Sequence, residues 1–448
     1  MDQAALDELG TQRIDWRFKG LPAAFEGQTV ASLVASRPEL TAFSTPLLVL
    51  DGEALAHNIA TMARYCAAHG VDLAPHGKTT MAPQLFARQL AAGAWGITAA
   101  TIAQVRVNRA FGVPTVLLAN ELVERDALGW VSSELHQCPD FRFLCFADSV
   151  AGVALMQEAL TRAARMREVL PRAASAERGA VRPIEVLIDL GAPGGRTGCR
   201  NLDEAEAVAR AVRGSDHLVL AGVAGYEGAL ARDRAAASIH RIRGYLGTAR
   251  ELTLRLDRLG LFDEVEEIVV SAGGSAYFDD VVDLLAGPWE TSRPVRTVLR
   301  SGAYVSHDDG HYRILTPLAD EDPGFRPALR LLGRVLSLPE PGLALLDFGK
   351  RDAPVDLGMP EPQEIRHADG RRGSAAGYRI TALADQHAFL RYDAESERES
   401  ESVPSVPALA VGDIVVCGIS HPCTAFDKWQ LIPVVEDGRA VDLIRTFF

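Results

Sequence analysis

The chain has 448 residues, 48% hydrophobic and 23% charged, a globular composition with room for two or three domains. A formal net charge of −13 and a pI near 5.4 argue against nucleic acid as a partner, and no window reaches the ~20 apolar residues of a membrane span. Six scattered cysteines without a CxxC pair do not read as a disulfide framework.

Taken in chain order, residues 1–44 form a mixed arm that is charged and lacks the apolar stretch of a secretory signal, so a cytoplasmic setting is expected. TPLLVLD (45–51) reads as a strand and EALAHNIATMARYCAAHG (53–70) as a helix, with Leu55, Ile59 and Met62 on one face. Eight strand candidates follow: 71–75, 95–99, 115–120, 142–148, 184–190, 218–225, 267–273 and 296–302. Helical patterns separate them, among them 82–93, 150–170 and 232–260. Strand–helix alternation on this scale predicts an α/β fold, a TIM (β/α)8 barrel over 45–305. Beyond 305 the pattern turns to short apolar runs broken by Gly, Pro and Asp, which predicts a C-terminal all-β domain over 306–448. The strand 45–51 is free to pair with that domain, since the eight barrel strands are already present. ESERESESVPSVP (395–407) reads as a charged low-complexity loop.

Barrel enzymes place their chemistry at the C-terminal ends of the strands. There the sequence sets Lys78 in PHGKT, a candidate Schiff-base nucleophile. Asp189 ends the fifth strand, and a glycine-rich loop then carries Arg196. Tyr226 lies between two glycines in GYEG. The turns SAGGS, with Gly274 and Ser275, and RSGAY, with Arg300, Gly302 and Ala303, follow strands seven and eight. Glycine-rich turns at those two places suit a phosphate. A lysine, a phosphate cradle and positioned Arg and Tyr side chains together suit pyridoxal phosphate. Near the C-terminus, His421 and Cys423 in SHPCT are an imidazole and a thiol at metal-ligand spacing.

The succession TPLLVLDGEALAHNI, PHGKT, GAWGITAATIAQV, LGAPGGRTG, GYEG, SAGGS, LRSGAY and SHPCT resembles the alanine-racemase-like pyridoxal phosphate enzymes, and within them the D-serine dehydratase and D-threonine aldolase family. The likeness runs from about Ser44 to the C-terminus. It implies a barrel followed by a β domain, and a homodimer. It implies that Lys78 carries the cofactor, that Arg196 faces the phenolic oxygen and that Tyr226 lies beside the ring. Ser275, Gly302 and Ala303 then contact the phosphate, and Arg300 faces the ring nitrogen. It also implies a divalent metal beside the cofactor on His421 and Cys423. Thiolate favours zinc over magnesium or manganese.

In this family His-x-Cys resembles the dehydratases, whereas His-x-Asp is more like the threonine aldolases. The implied activity is therefore dehydration of a D-β-hydroxy amino acid, with D-serine as the default substrate. An aldolase, a racemase and a non-catalytic cofactor carrier remain alternatives, the last disfavoured by the β domain and the HPC pair. The chain departs from the family pattern at Ala74, at Thr80-Met81 and at Asp385-Gln386. These departures bear on the substrate more than on the cofactor.

Overall fold

The computed structural model describes residues 1–169, 182–319, 324–393 and 409–448; the predicted loop 395–407 lies outside them. The chain forms two compact units. One comprises 1–2, 63–78 and 89–302; the other comprises 3–62, 79–88 and 303–448. Strands are numbered along the chain. β1 (Leu47–Asp51) belongs to the second unit, and the first carries β2 (Asp72–Leu73), β3 (Ile97–Ala99), β4 (Thr115–Glu121), β5 (Arg142–Ala147), β6 (Ile184–Leu190), β7 (Leu218–Gly225), β8 (Ile268–Ala272) and β9 (Val295–Leu299).

These eight strands are parallel, in the order β2-β9-β8-β7-β6-β5-β4-β3. A parallel bridge between His76 and Thr98 joins the two ends, helped by Trp95 N donating to Leu73 O at 2.7 Å. The sheet is therefore the expected (β/α)8 barrel. β2 is shorter than its predicted segment because Pro75 has no N–H to contribute. Runs such as IEVLIDL in β6 are buried almost throughout, as a strand covered on both faces must be. Leu117, Leu144, Leu187, Ala221, Val269 and Val298 fill the interior. Helices Ile102–Ala110, Arg125–Gln137, Leu202–Arg213 and Phe278–Leu285 complete the alternation. Thr101 and Asn201 start two of them by accepting the backbone N–H three residues on.

The strands' N-terminal ends are tied by charge. Arg142 on β5 reaches Glu185 at 2.7 Å and Glu267 at 2.8 Å. Arg296 on β9 bonds Glu267 at 2.8 Å and also pairs with Asp72. Burial would raise the Glu267 carboxyl, but the two guanidinium groups outweigh it and hold it below its ordinary value.

The second unit adds β10 (Leu329–Glu340), β11 (Leu343–Leu346), β12 (Glu361–Arg366), β13 (Arg372–Ser374), β14 (Arg379–Leu383), β15 (Ala388–Arg391), β16 (Ile414–Gly418), β17 (Leu431–Glu436) and β18 (Arg439–Arg445). The order is β13-β12-β16-β10-β1-β17-β18, with β11, β15 and β14 continuing from β10. β1 pairs antiparallel with β10 and parallel with β17, so the TPLLVLD strand is part of this sheet. Ile14, Phe18, Phe25, Leu33 and Phe43 of the N-terminal arm pack with Leu47, Leu332, Val416, Leu431 and Leu443 in one core. No helix among the described residues is long and apolar enough to cross a membrane.

Candidate active site

The C-terminal ends of the barrel strands open onto a cavity of 250 Å³. Its lining includes His76, Lys78, Asp189, Arg196, Tyr226, Gly274 and Arg300, with Ala100, Ala119, Phe146 and Leu190 as apolar walls. Lys78 lies in the short turn Gly77–Thr79 just beyond β2, so its backbone is fixed while its side chain is exposed. Burial, and the charges of Lys78 and Arg300, push the His76 imidazole well below its ordinary value and keep it neutral. Its Nδ1 is buried with no hydrogen-bond partner among the described residues.

Arg196 is presented by a loop that the chain ties down at several points. Gly191 N donates to Cys199 O at 2.9 Å, and Cys199 N to Asp189 O at 2.8 Å. Thr197 Oγ1 donates to Asp189 at 3.0 Å, and Gly198 N to Asp148 at 3.1 Å. The Arg200 guanidinium gathers the carbonyls of Thr197 at 3.0 Å and Gly198 at 2.7 Å, and also that of Arg196. Gly198 adopts a φ of +100°, which a side chain would strain, and a Cβ on Gly191 would collide with Arg200 Nη1. So held, the Arg196 guanidinium stacks 4.8 Å from the centre of the Tyr226 ring.

Acids surround this loop. Glu121 at the end of β4 lies near enough to Asp189 on β6 for the charge of Asp189 to bear on it. Burial raises both above the ordinary carboxylate range; for Asp189, Thr197 and Arg300 offset part of that rise. Glu227, fully buried, accepts from Gly273 N at 3.1 Å and Gly274 N at 2.5 Å. Burial raises its carboxyl too, against those amides and the charge of Arg300. Two backbone donors of the SAGGS turn are thus engaged by Glu227, which leaves the half-buried Ser275 next in the turn as its candidate phosphate donor. Arg300 is 6% exposed and is fixed by Ser271 Oγ at 2.7 Å and by Gly225 O.

Lys78, Arg196, Tyr226, Gly274 and Arg300 thus line one cavity, while Ser275, Gly302 and Ala303 are not among its lining residues. A Cβ on Gly302 would lie 2.4 Å from His76 O, so that glycine is required by packing. Ala303 opens the turn Ala303–Val305 in the second unit. The lysine, the two guanidinium groups, the Tyr226 ring and the glycine turn fit pyridoxal phosphate in charge and in kind.

In the second unit, β16 ends at Gly418 and the chain turns through Ser420, His421 and Cys423. His421 Nδ1 lies 2.7 Å from Asp356 Oδ2, and Asp356 Oδ1 accepts from Thr424 Oγ1 at 3.0 Å. The rings of His311 and Tyr312 pack 5.6 and 5.7 Å from His421, centre to centre. Asp308 presents those rings by accepting the backbone N–H of Gly310, Tyr312 and Arg313 at the start of their helix. Cys423 is partly exposed, with Thr79 Oγ1 3.7 Å from its Sγ. Burial opposes charging His421, but Cys423 and Asp356 outweigh it and raise the imidazole to about 9. One nitrogen and one sulfur donor suit a zinc-like ion. Among the described residues, no group of three or more His, Cys, Asp and Glu side chains converges as a ligand set, so the pair fits only a site completed by water or substrate.

A parallel barrel with a lysine at the end of its first strand, joined in sequence to an antiparallel β domain, defines an alanine-racemase-like protein. The chain belongs to the family "Alanine racemase, N-terminal domain", whose model matches residues 50–278. A second model, "Putative serine dehydratase domain", matches residues 328–435. Among curated proteins, the chain is 25% identical over 413 residues to a D-threonine aldolase from Arthrobacter sp., covering 90% of this chain and 92% of the relative. It is 39% identical over 80 residues to a D-threo-3-hydroxyaspartate dehydratase from Delftia sp., 18% of this chain and 21% of that protein. Among solved structures, a D-threonine aldolase from Filomicrobium marinum superposes with a TM-score of 0.71 at 25% identity, covering 92% of this chain and 97% of the other. These relatives are lyases.

Sequence reasoning passed over Glu121, Glu227 and Asp356. Glu227 sits inside GYEG, so an acid at a strand end was a usable signal. Asp356 carries no local signal, because its partner lies 65 residues further on.

Proposed function

We propose that the protein is a pyridoxal phosphate-dependent, metal-assisted lyase that dehydrates a D-β-hydroxy amino acid of the D-serine type. Water is lost across the Cα–Cβ bond. The released enamine hydrolyses to a 2-oxo acid and ammonia. The observation that carries the reading is the cavity that gathers Lys78, Arg196, Tyr226 and Arg300 at the barrel's C-terminal mouth.

Bound there, pyridoxal phosphate would supply an electron sink for charge developing at Cα. The Lys78 amine holds the cofactor and then takes the α-proton. The Arg196 guanidinium, steadied on the Tyr226 ring, neutralises the phenolic oxygen. Arg300, locked by Ser271, would serve the ring nitrogen. Ser275, with Gly302 and Ala303, binds the phosphate, while Glu227 keeps the SAGGS turn in shape. His421 and Cys423 would hold a divalent ion, zinc by donor type, which would supply Lewis-acid polarisation of the β-oxygen. A homodimer completes the reading, tested by light scattering coupled to size exclusion.

The cofactor half is tested by reconstitution. The protein is incubated with pyridoxal phosphate, reduced with borohydride and mapped by peptide mass. A pyridoxyl adduct on Lys78 is expected; an adduct spread over surface lysines, unchanged in Lys78→Ala, contradicts the assignment.

A second reading is an aldolase, which breaks Cα–Cβ and releases glycine and an aldehyde. The similarity to a D-threonine aldolase over 90% of this chain favours it. The thiol at Cys423 favours dehydration, by the His-x-Cys resemblance.

A further inference from the structure

We propose that Asp356 is the positioning residue for His421: it holds the imidazole in the tautomer that leaves Nε2 free to bind the metal. The inference rests on the metal reading above and extends it to a residue with no metal contact of its own.

A carboxylate oxygen can only accept, so the 2.7 Å contact places the proton on His421 Nδ1. When the ring gives up its other proton to a metal, its lone pair lies on Nε2, the atom left for a ligand bond. A ring held the other way would present Nε2–H, which cannot coordinate. Metal-binding histidines commonly donate their second nitrogen to a carboxylate, which fixes the ring and strengthens the donor.

The carboxylate is itself held. Thr424 Oγ1 fixes Oδ1 at 3.0 Å. Ser420 Oγ donates to Gly358 O at 2.7 Å and so ties the Asp356 loop to the residue before His421. On the ring's other sides, His311 and Tyr312 limit its rotation. His311 N in turn donates to Ser420 O at 2.8 Å. These contacts hold the ring, and Asp356 is the neighbour that engages Nδ1, leaving the other nitrogen on the side of the chain's second ligand, Cys423.

The test measures zinc affinity by competition with a chromophoric chelator, independently of turnover, on full-length wild type, Asp356→Ala, Asp356→Asn, Thr424→Val and His421→Ala. The expected result is a loss of about 10- to 100-fold in zinc affinity for Asp356→Ala. Asp356→Asn, which keeps an acceptor but not the charge, falls between it and wild type. Thr424→Val, which loosens the carboxylate and leaves it in place, shows a smaller loss in the same direction. It also keeps the test decisive if Asp356→Ala fails to fold. Zinc affinities for Asp356→Ala and Thr424→Val within twofold of wild type overturn the proposal and leave the metal reading intact. Wild type binding zinc no more tightly than His421→Ala overturns the metal reading itself.

Discussion

The two mouths of the barrel carry similar charges and treat them in opposite ways. At the N-terminal mouth, Arg142 and Arg296 meet Glu185, Glu267 and Asp72 in direct ion pairs, and Glu267 is held below its ordinary value. At the C-terminal mouth, burial pushes the Glu121 and Asp189 carboxyls up, with the charge of Asp189 adding to the rise at Glu121, and Arg300 is buried and pulled below its usual value. Charge at the first mouth serves stability. Charge at the second is held at an energetic cost, which is where perturbed groups mark chemistry.

The sharpest way to break this contrast is Lys78→Ala. Activity is expected to fall by at least about 10²–10⁴-fold, the range for losing a positioned base, with the melting temperature little changed. Parallel losses of stability and activity would erase the distinction. Next comes Thr197→Val, which removes the hydroxyl tying the Arg196 loop to Asp189. Misplacing a positioning group by about 1 Å costs up to about 10²-fold, so kcat/KM should drop by about 10–100-fold in steady-state kinetics with the fold intact. At the opposite mouth, Arg142→Ala should do the reverse. Denaturant unfolding should show about 2 kcal/mol lost, from charged hydrogen bonds to partly exposed carboxylates, while kcat/KM stays near wild type.

The smallest effect is in pH dependence, and its sign differs between the mouths. Glu267, with a lowered carboxyl, adds stability above its unfolded value and loses it as pH falls through the folded one. Asp189 and Glu121, raised in the fold, bind protons more tightly folded than unfolded, so their contribution is lost as pH rises from the ordinary carboxylate range toward neutral. Asp189→Asn should flatten that loss and Glu267→Gln should not, as read from denaturation midpoints across the pH series.

Legibility in the sequence followed the same division. The eight barrel strands stood out because each is a compact apolar run between helical patterns. Lys78, Arg196, Tyr226 and Arg300 stood out because strand ends are where barrels place reactive groups. By contrast β12, EPQEIR, buries only Ile365, and β13, RGS, has no buried residue, so neither carries apolar periodicity. The closeness of Glu121 and Asp189 depends on two strands separated in the sheet by β5, and no local pattern encodes it. Asp356 depends on a partner in a distant turn. The sequence displays which groups can react, and the tertiary structure decides which of them are paired.

The central claim is that this chain removes the β-hydroxyl of a D-amino acid with metal assistance. It is tested most directly by product analysis with D-serine, D-threonine and D-3-hydroxyaspartate, each with and without a chelator. The account predicts 2-oxo acid and ammonia in equal amounts, lost on chelation and in His421→Ala. Glycine and an aldehyde without ammonia, or turnover indifferent to the chelator, would contradict it.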